Sequence, residues 1–203
     1  MTPTDPKRTV GVGTFSRCGH FTAPVNQPSL SHYAAMTESE LIKRTQDAYL
    51  ELVHPVSEDY EHSQSIATLL DLAPSISDDV VSSMIAGSSW RERLLGLSIA
   101  MTKERQLASY IENMFQSLRD PRCLAIVPTA AALASLARRG AFTMTPSFGE
   151  EFDHSMFSGE VGWAVTKAMH FAGLISDDAV GFAPNNGQVF EDHLQLYDFI
   201  RAA

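Results

Sequence analysis

Two short stretches of the sequence contain residue types that could do chemistry. The stretch from Gly96 to Ala100, with Ser98 at its centre, nearly matches the nucleophile elbow of hydrolases. That motif needs a sharp turn between a strand and a helix, whereas these residues fall inside a predicted apolar helix. Gly11 and Gly13 lack the third glycine and the following helix of a dinucleotide-binding loop. We therefore expect no catalytic residue and no nucleotide site here.

The histidines and cysteines do not form a pattern that would hold a metal ion. The seven histidines show neither an HExxH motif nor pairs at i, i+4 spacing. Asp153-His154 and Asp192-His193 are neighbours in sequence, and neighbouring side chains diverge on a helix. The two cysteines are too far apart for a metal-binding pair and too few for a disulfide framework. We expect no metal, no cofactor and a reduced, cytoplasmic setting.

An acidic and aromatic loop is the main candidate for a binding surface. It lies within residues 141–157, a stretch longer than most connections between helices. Loops of this kind are often contact surfaces, although a plain solvated loop is the alternative. Trp90 is a further candidate anchor, and its alternative role is the edge of the core. The candidate protein-binding residues are Phe148, Glu150, Glu151, Asp153, His154 and Trp90.

The net charge of −9 is unevenly distributed along the chain. Residues 1–35 contain Lys7, Arg8 and Arg17 against Asp5, so the rest of the chain is more acidic than the total suggests. From residue 140 onward nine acidic residues face two basic ones, and we expect this C-terminal third to be the most acidic part. An acidic surface repels nucleic acid and attracts basic partners over long range. The alternative is that the charge only keeps the protein soluble.

The first 35 residues differ from the remainder of the chain. They contain four prolines and no helical repeat of apolar residues, which predicts a disordered or loosely attached tail. They also lack the apolar core of a secretory signal. A clean helix start follows Met36, so translation starting at Met36 is a further hypothesis. No apolar run is long enough to cross a membrane.

From residue 36 to residue 203 the pattern predicts a single all-α domain. Apolar residues recur at helical spacing and the helix ends carry typical caps. Gly87 is expected to close one helix in the left-handed conformation. Gly96, inside another, predicts that a neighbouring helix passes close by. Pro128 either bends one helix or divides it. Helices are expected near 38–54, with a capping box from Thr37 to Glu40, and near 63–72, 78–86, 88–101 or 89–101, 103–118, within 118–137, and over 159–171 and 188–201.

Two arginines stand at an unfavourable end of a predicted helix. Arg91 and Arg93 lie in its first turn, where the helix dipole disfavours cations. Residues 118–137, with the loop residues Asp120 and Arg122 before an alanine-rich element, resemble a HEAT-type repeat, and residues 88–100 look like a degenerate copy. The resemblance covers roughly residues 76–140 and implies a stack of antiparallel helix pairs. It also implies that Arg91, Arg93 and Arg122 contact loop carboxylates such as Asp78, Asp79 and Asp120.

The stretch Ser89 to Gly96 and the helix around Trp163 also resemble a small bacterial family of HEAT-like proteins placed among toxin-immunity proteins. Membership would imply binding rather than catalysis. We therefore expect a non-catalytic interaction module with an acidic surface, whose partner is a basic protein and whose specific role is toxin neutralisation. The alternative is a small helical hydrolase or ligand-binding protein that uses the 148–154 loop and His170.

Overall fold

The computed structural model describes residues 51–55, 60–103, 106–120, 123–140, 157–176, 180–181 and 187–203. Every regular element in these ranges is helical. The tail predicted over 1–35, the start of the first helix and the 148–154 loop lie outside them. Residues 51–53 are helical, and short 3₁₀ turns span Tyr60–His62 and Ala73–Ser75. The α-helices are α1 (Gln64–Leu72), α2 (Asp78–Ile85), α3 (Trp90–Met101), α4 (Leu107–Leu118), α5 (Ile126–Arg138), α6 (Gly159–Phe171) and α7 (Gln188–Ala202).

Several helix ends follow local rules that the sequence displays. Ser63 is the N-cap of α1, and its hydroxyl accepts a hydrogen bond from the backbone N–H of Ile66 at 3.0 Å. Gly140 and Gly173, which follow α5 and α6, have positive φ angles of 68° and 75°. Beyond α6 the N–H of Leu174 donates to Met169 O, which completes a Schellman motif.

The prediction for Gly87 is wrong. The φ angle of Gly87 is not positive, because α2 ends in a right-handed turn in which the N–H of Gly87 donates to Met84 O. A residue in the left-handed conformation is needed only where a helix ends in a Schellman or αL motif. The glycine is instead crowded, since an added Cβ would lie 2.7 Å from Glu92 Oε2 and 3.0 Å from Met84 O.

The prediction for Gly96 is confirmed. A Cβ on this residue of α3 would lie 2.8 Å from the Cβ of Met84 and 2.9 Å from the backbone N of Ile85. Real Cβ atoms almost never approach other atoms so closely. Helix α2 therefore contacts α3 backbone against backbone at this point, and the glycine permits the contact.

Pro128 neither bends nor divides its helix. It is the third residue of α5, in the first turn, where a backbone N–H has no partner within the helix. Almost all of α5 up to Leu136 is buried, and this helix contacts α3, α4, α6 and α7. Helix α4 has an apolar stripe at helical spacing, with Tyr110, Met114 and Phe115 buried and Glu112 exposed. One continuous core joins all seven helices.

Candidate functional site

Arg93 lies buried between helices and donates to three acceptors. Its Nε donates to Gly87 O at 2.5 Å, its Nη1 to Ser117 O at 3.2 Å, and its Nη2 to Asp120 Oδ2 at 3.3 Å. We call these four residues the Arg93 junction. They connect the turn between α2 and α3 to the end of α4. The contacts to carboxylate and carbonyl oxygens explain how a cation is tolerated in the first turn of α3.

The other residues of the predicted arginine and carboxylate set are divided among different contacts. Asp78 lies 3.3 Å from Lys103 Nζ and accepts a 2.7 Å hydrogen bond from the hydroxyl of Tyr110. Burial, and then the hydrogen bond to Asp78, raise the pKa of Tyr110. The guanidinium of Arg91 lies 4.6 Å from the centre of the Trp90 ring. Arg122 lies outside the described residues.

Trp90 is the one candidate protein-binding residue that falls within the described part of the chain. It is partly buried and packs against the core, with Arg91 over its ring. This placement agrees with a tryptophan at the edge of the core and leaves part of its surface exposed. The other candidates, Phe148, Glu150, Glu151, Asp153 and His154, lie outside the described residues.

Two residues considered for catalysis, Ser98 and His170, lie in the described part of the chain and have structural contacts. Ser98 is fully buried in α3, and its hydroxyl donates to Leu94 O at 3.0 Å. A serine in this position cannot be reached by a substrate. His170, the histidine of the alternative hydrolase hypothesis, lies near the end of α6. Its Nδ1 is 3.4 Å from Ile175 O, and its ring contacts Phe171 at a centroid distance of 5.6 Å.

His193 joins α7 to the helical turn at residues 51–53. Its Nδ1 lies 2.7 Å from Val189 O and its Nε2 lies 3.0 Å from Leu52 O. The ring is 1% exposed, and this burial lowers the pKa of His193 against the opposing effect of the two carbonyl groups. A neutral imidazole has one N–H, so it can donate to only one of the two carbonyls at a time. The side chain is therefore a structural connection.

A second long-range contact holds the same part of the chain against α7. The hydroxyl of Tyr60 donates to Asp192 O at 3.1 Å, and its ring packs at a 5.5 Å centroid distance from that of Phe199. Burial, and then the charge of Asp192, raise the pKa of Tyr60 to about 12. His193 and Tyr60 respectively position the helical turn at residues 51–53 and the 3₁₀ turn at Tyr60–His62 against the C-terminal helix.

A cavity of about 390 Å³ opens beside these contacts. Its size is in the range of small-ligand sites. Glu51 is held there by two serines: Ser63 donates to Oε2, and Ser65 donates to Oε1 at 2.8 Å. Two imidazoles, a carboxamide and two apolar groups complete the wall. The described residues that line the cavity are Glu51, His54, Tyr60, His62, Ser63, Gln64 and Ile66.

The segment of the sequence that contains the cavity residues is acidic. Residues 45–90 contain eight acidic residues and no Lys or Arg. The C-terminal third is still the most acidic third of the chain, and this segment is a second acidic region that the sequence analysis did not single out. Sequence reasoning missed the cavity, and the long absence of Lys and Arg is the signal that could have found its neighbourhood.

A different cluster of charges joins α5 to α7. Asp198 accepts a 2.7 Å hydrogen bond from the hydroxyl of Ser135 and lies 3.8 Å from Arg138 Nη1 and 3.3 Å from Arg139 Nη2. We call these four residues the Asp198 junction. Arg138 and Arg139 are about half exposed, so these ion pairs face solvent.

Among the described residues no three His, Cys, Asp or Glu side chains form a group that could hold a metal ion. In the same ranges no helix combines the length and apolar character needed to span a bilayer. The chain matches no protein-family model, no curated protein sequence and no solved structure.

Proposed function

We propose that this chain is a non-catalytic, HEAT-like stack of antiparallel helix pairs that binds a basic protein through its acidic surface. The observation that carries the proposal is the segment 45–90, which has eight acidic residues and no Lys or Arg. Charged surfaces of one sign accelerate encounter with partners of the opposite sign and select against wrong ones. The surface used for binding is the one around α1 and the cavity beside it.

The placement of the acidic side chains supports this surface. Glu51, Glu61 and Asp71 are exposed, whereas Asp78 is paired with Lys103. These three exposed carboxylates, on the helical turn at 51–53, the 3₁₀ turn at Tyr60–His62 and α1, thus remain available to a partner. Ser98 and His170, the described residues that were considered for catalysis, are engaged in structural contacts, which supports binding rather than reaction at these two positions.

Toxin neutralisation is the specific form of the proposal, and it rests on the resemblance to HEAT-like immunity proteins. A neutralising protein must bind its toxin tightly and block it, and an acidic scaffold suits a toxin that acts on nucleic acid, because such a toxin is itself basic. Toxin neutralisation is tested by the growth of cells that produce the captured partner, with and without this chain. The chain should restore growth, and a partner that is harmless without the chain would contradict it.

Recovery of the partner from the source cell tests binding itself. The tagged chain should retain a basic protein at low salt, and less of it at moderate salt, because exposed charges are screened. Glu61→Lys together with Asp71→Lys should reduce recovery strongly. Glu112→Lys, an exposed change on α4, is the control and should have a smaller effect. Equal recovery by all variants, or no basic protein at either salt, would contradict the proposal.

A further inference from the structure

The cavity beside α1 has one wall that carries a full negative charge. Glu51 is the acidic residue among the described residues that line it, and none of those lining residues is Lys or Arg. Among the described residues, the next charges along the chain, at Glu61 and Asp71, are also negative. A ligand that enters this cavity therefore meets a carboxylate with no cation beside it in the described wall. Charge complementarity requires that the ligand be positive.

The hydrogen bonds of Glu51 define which positive group fits. The hydroxyl of Ser63 accepts from Ile66 N–H and donates to Glu51, so its single proton is used. Ser65 donates to the other carboxylate oxygen. Glu51 thus accepts with both oxygens, and each oxygen of a carboxylate has a second lone pair. Two acceptor sites, one on each oxygen, match the two parallel N–H groups of a guanidinium.

The rest of the wall suits a guanidinium on a short aliphatic stem. His54 and His62 offer flat rings, on which a planar guanidinium stacks more readily than an ammonium does. Ile66 and the ring of Tyr60 offer an apolar surface to methylene groups. The hydroxyl of Tyr60 is already used by Asp192 O, so its contribution to the cavity is the ring.

We propose that the cavity lined by Glu51, His54, His62 and Gln64 binds the guanidinium of an arginine side chain on the basic partner. This inference rests on the proposed function and adds the residue type that is recognised. The arginine forms a two-pronged ion pair with Glu51, and its stem lies against Ile66 and Tyr60.

Titration with N-acetyl-arginine amide, followed by NMR of the imidazole signals of His54 and His62, tests the proposal. We expect saturable shifts of both rings. N-acetyl-lysine amide, with the same charge, should bind several times more weakly because an ammonium cannot make the paired contact. Equal binding of the two amides, or shifts that do not saturate, would overturn the assignment to a guanidinium.

Matched variants distinguish binding inside the cavity from general attraction by the acidic surface. Glu51→Gln should weaken binding of N-acetyl-arginine amide by at least about tenfold. Glu61→Gln removes the same charge from an exposed residue that does not line the cavity, and should weaken binding less than about twofold. Equal losses in the two variants would overturn the proposal.

A third variant guards against loss of structure. Gln64 is exposed and lines the cavity, so the Gln64→Lys protein should fold normally. The added cation should abolish binding of N-acetyl-arginine amide. Ala67→Lys places the same charge on the exposed surface of α1 and should leave binding intact. Binding unchanged by Gln64→Lys would overturn the proposal. If the basic partner is still captured by Glu51→Gln with undiminished affinity, the cavity assignment fails and the proposed function stands. If no basic partner is captured by the unmodified chain, the proposed function fails.

Discussion

The Arg93 junction and the Asp198 junction both contain an arginine and an aspartate, but they hold their helices in different ways. The Arg93 side chain is 8% exposed and has three acceptors, two of which are backbone carbonyls. The arginines that face Asp198 are 48% and 45% exposed and share one carboxylate. The difference teaches that an arginine beside an aspartate is a buried connection in one place, through its bonds to backbone carbonyls, and a solvated contact in the other.

The stability of the two regions should therefore rest on different interactions. Between α2, α3 and α4 a buried guanidinium satisfies carbonyl groups that water cannot reach, and loss of one such partner is costly. Among α5, α6 and α7 the apolar contacts of a largely buried α5 hold the helices, and exposed ion pairs add little. Substitutions in the two regions can test this comparison directly.

The largest effect is expected for Arg93→Ala. The change removes the guanidinium donors from Gly87 O and Ser117 O and the buried ion-pair partner from Asp120, and we expect a loss of about 2–4 kcal/mol in the free energy of unfolding. Lysine keeps the positive charge but lacks the forked guanidinium. The Arg93→Lys protein should therefore be more stable than Arg93→Ala and less stable than the unmodified protein. Urea denaturation measures both. Arg91→Ala is the control, and its loss should stay below about 1 kcal/mol. A similar loss for Arg91→Ala and Arg93→Ala would contradict the assigned role.

Gly96→Ala is expected to destabilise the same region by close contact. Alanine favours a helix by about 1 kcal/mol over glycine, yet its Cβ would meet α2 at the distances given above. We expect a net loss of about 1–3 kcal/mol, typical of overpacking, in thermal or urea unfolding. Ser109→Ala on the exposed face of α4 is the control and should leave stability nearly unchanged. A stabilised Gly96→Ala protein would show that α2 and α3 are not in close contact.

A smaller effect is expected from the titration of His193. Burial lowers the pKa of this side chain, so the unfolded chain takes up a proton first as the pH falls. The stabilisation is present above the unfolded pKa of about 6.5 and is lost as the pH falls towards the lower folded pKa. Between about pH 7.5 and about pH 5.5 the wild-type protein should lose about 1 kcal/mol more than His193→Gln. An equal loss of stability in the two proteins over this pH range would contradict the lowered pKa of His193.

The smallest effect is expected for Asp198→Asn. The asparagine can still accept from Ser135, and the lost ion pairs face solvent. The free energy of unfolding should fall by less than about 1 kcal/mol, and this difference should shrink as salt is added. A loss as large as that of Arg93→Ala, in the same urea experiment, would show that the two junctions do not differ in kind.

The parts of the fold that the sequence predicted are those determined by neighbouring residues. The predicted helix ranges follow from the spacing of apolar residues, and the caps at helix ends depend on local backbone geometry. The close contact between two helices at Gly96 could be predicted because glycine inside a helix is destabilising and is expected there only where a neighbour leaves no room for a side chain. Gly87 shows the limit of this reasoning, since a glycine after a helix can serve a close contact as well as a left-handed turn.

The cavity could not be predicted because distant contacts form it. Tyr60 and Asp192 are 132 residues apart in the chain, and their hydrogen bond helps to position the turn that carries His62. His193 and Leu52 are even further apart. No periodicity or spacing displays such contacts. The loop with Phe148 and Glu150, chosen for its composition, lies outside the described residues and stays a prediction.

The central claim is that an acidic surface around α1 binds a basic protein. The most direct measurement is the affinity of the chain for the recovered partner between about 0.05 and about 0.3 M NaCl, with the Glu61→Lys, Asp71→Lys and Glu112→Lys variants in parallel. We predict that affinity falls steeply with salt, and that the first two variants bind weakly with a shallower salt dependence while the third behaves like the unmodified chain. An affinity independent of salt, or equal losses in all three variants, would contradict the claim.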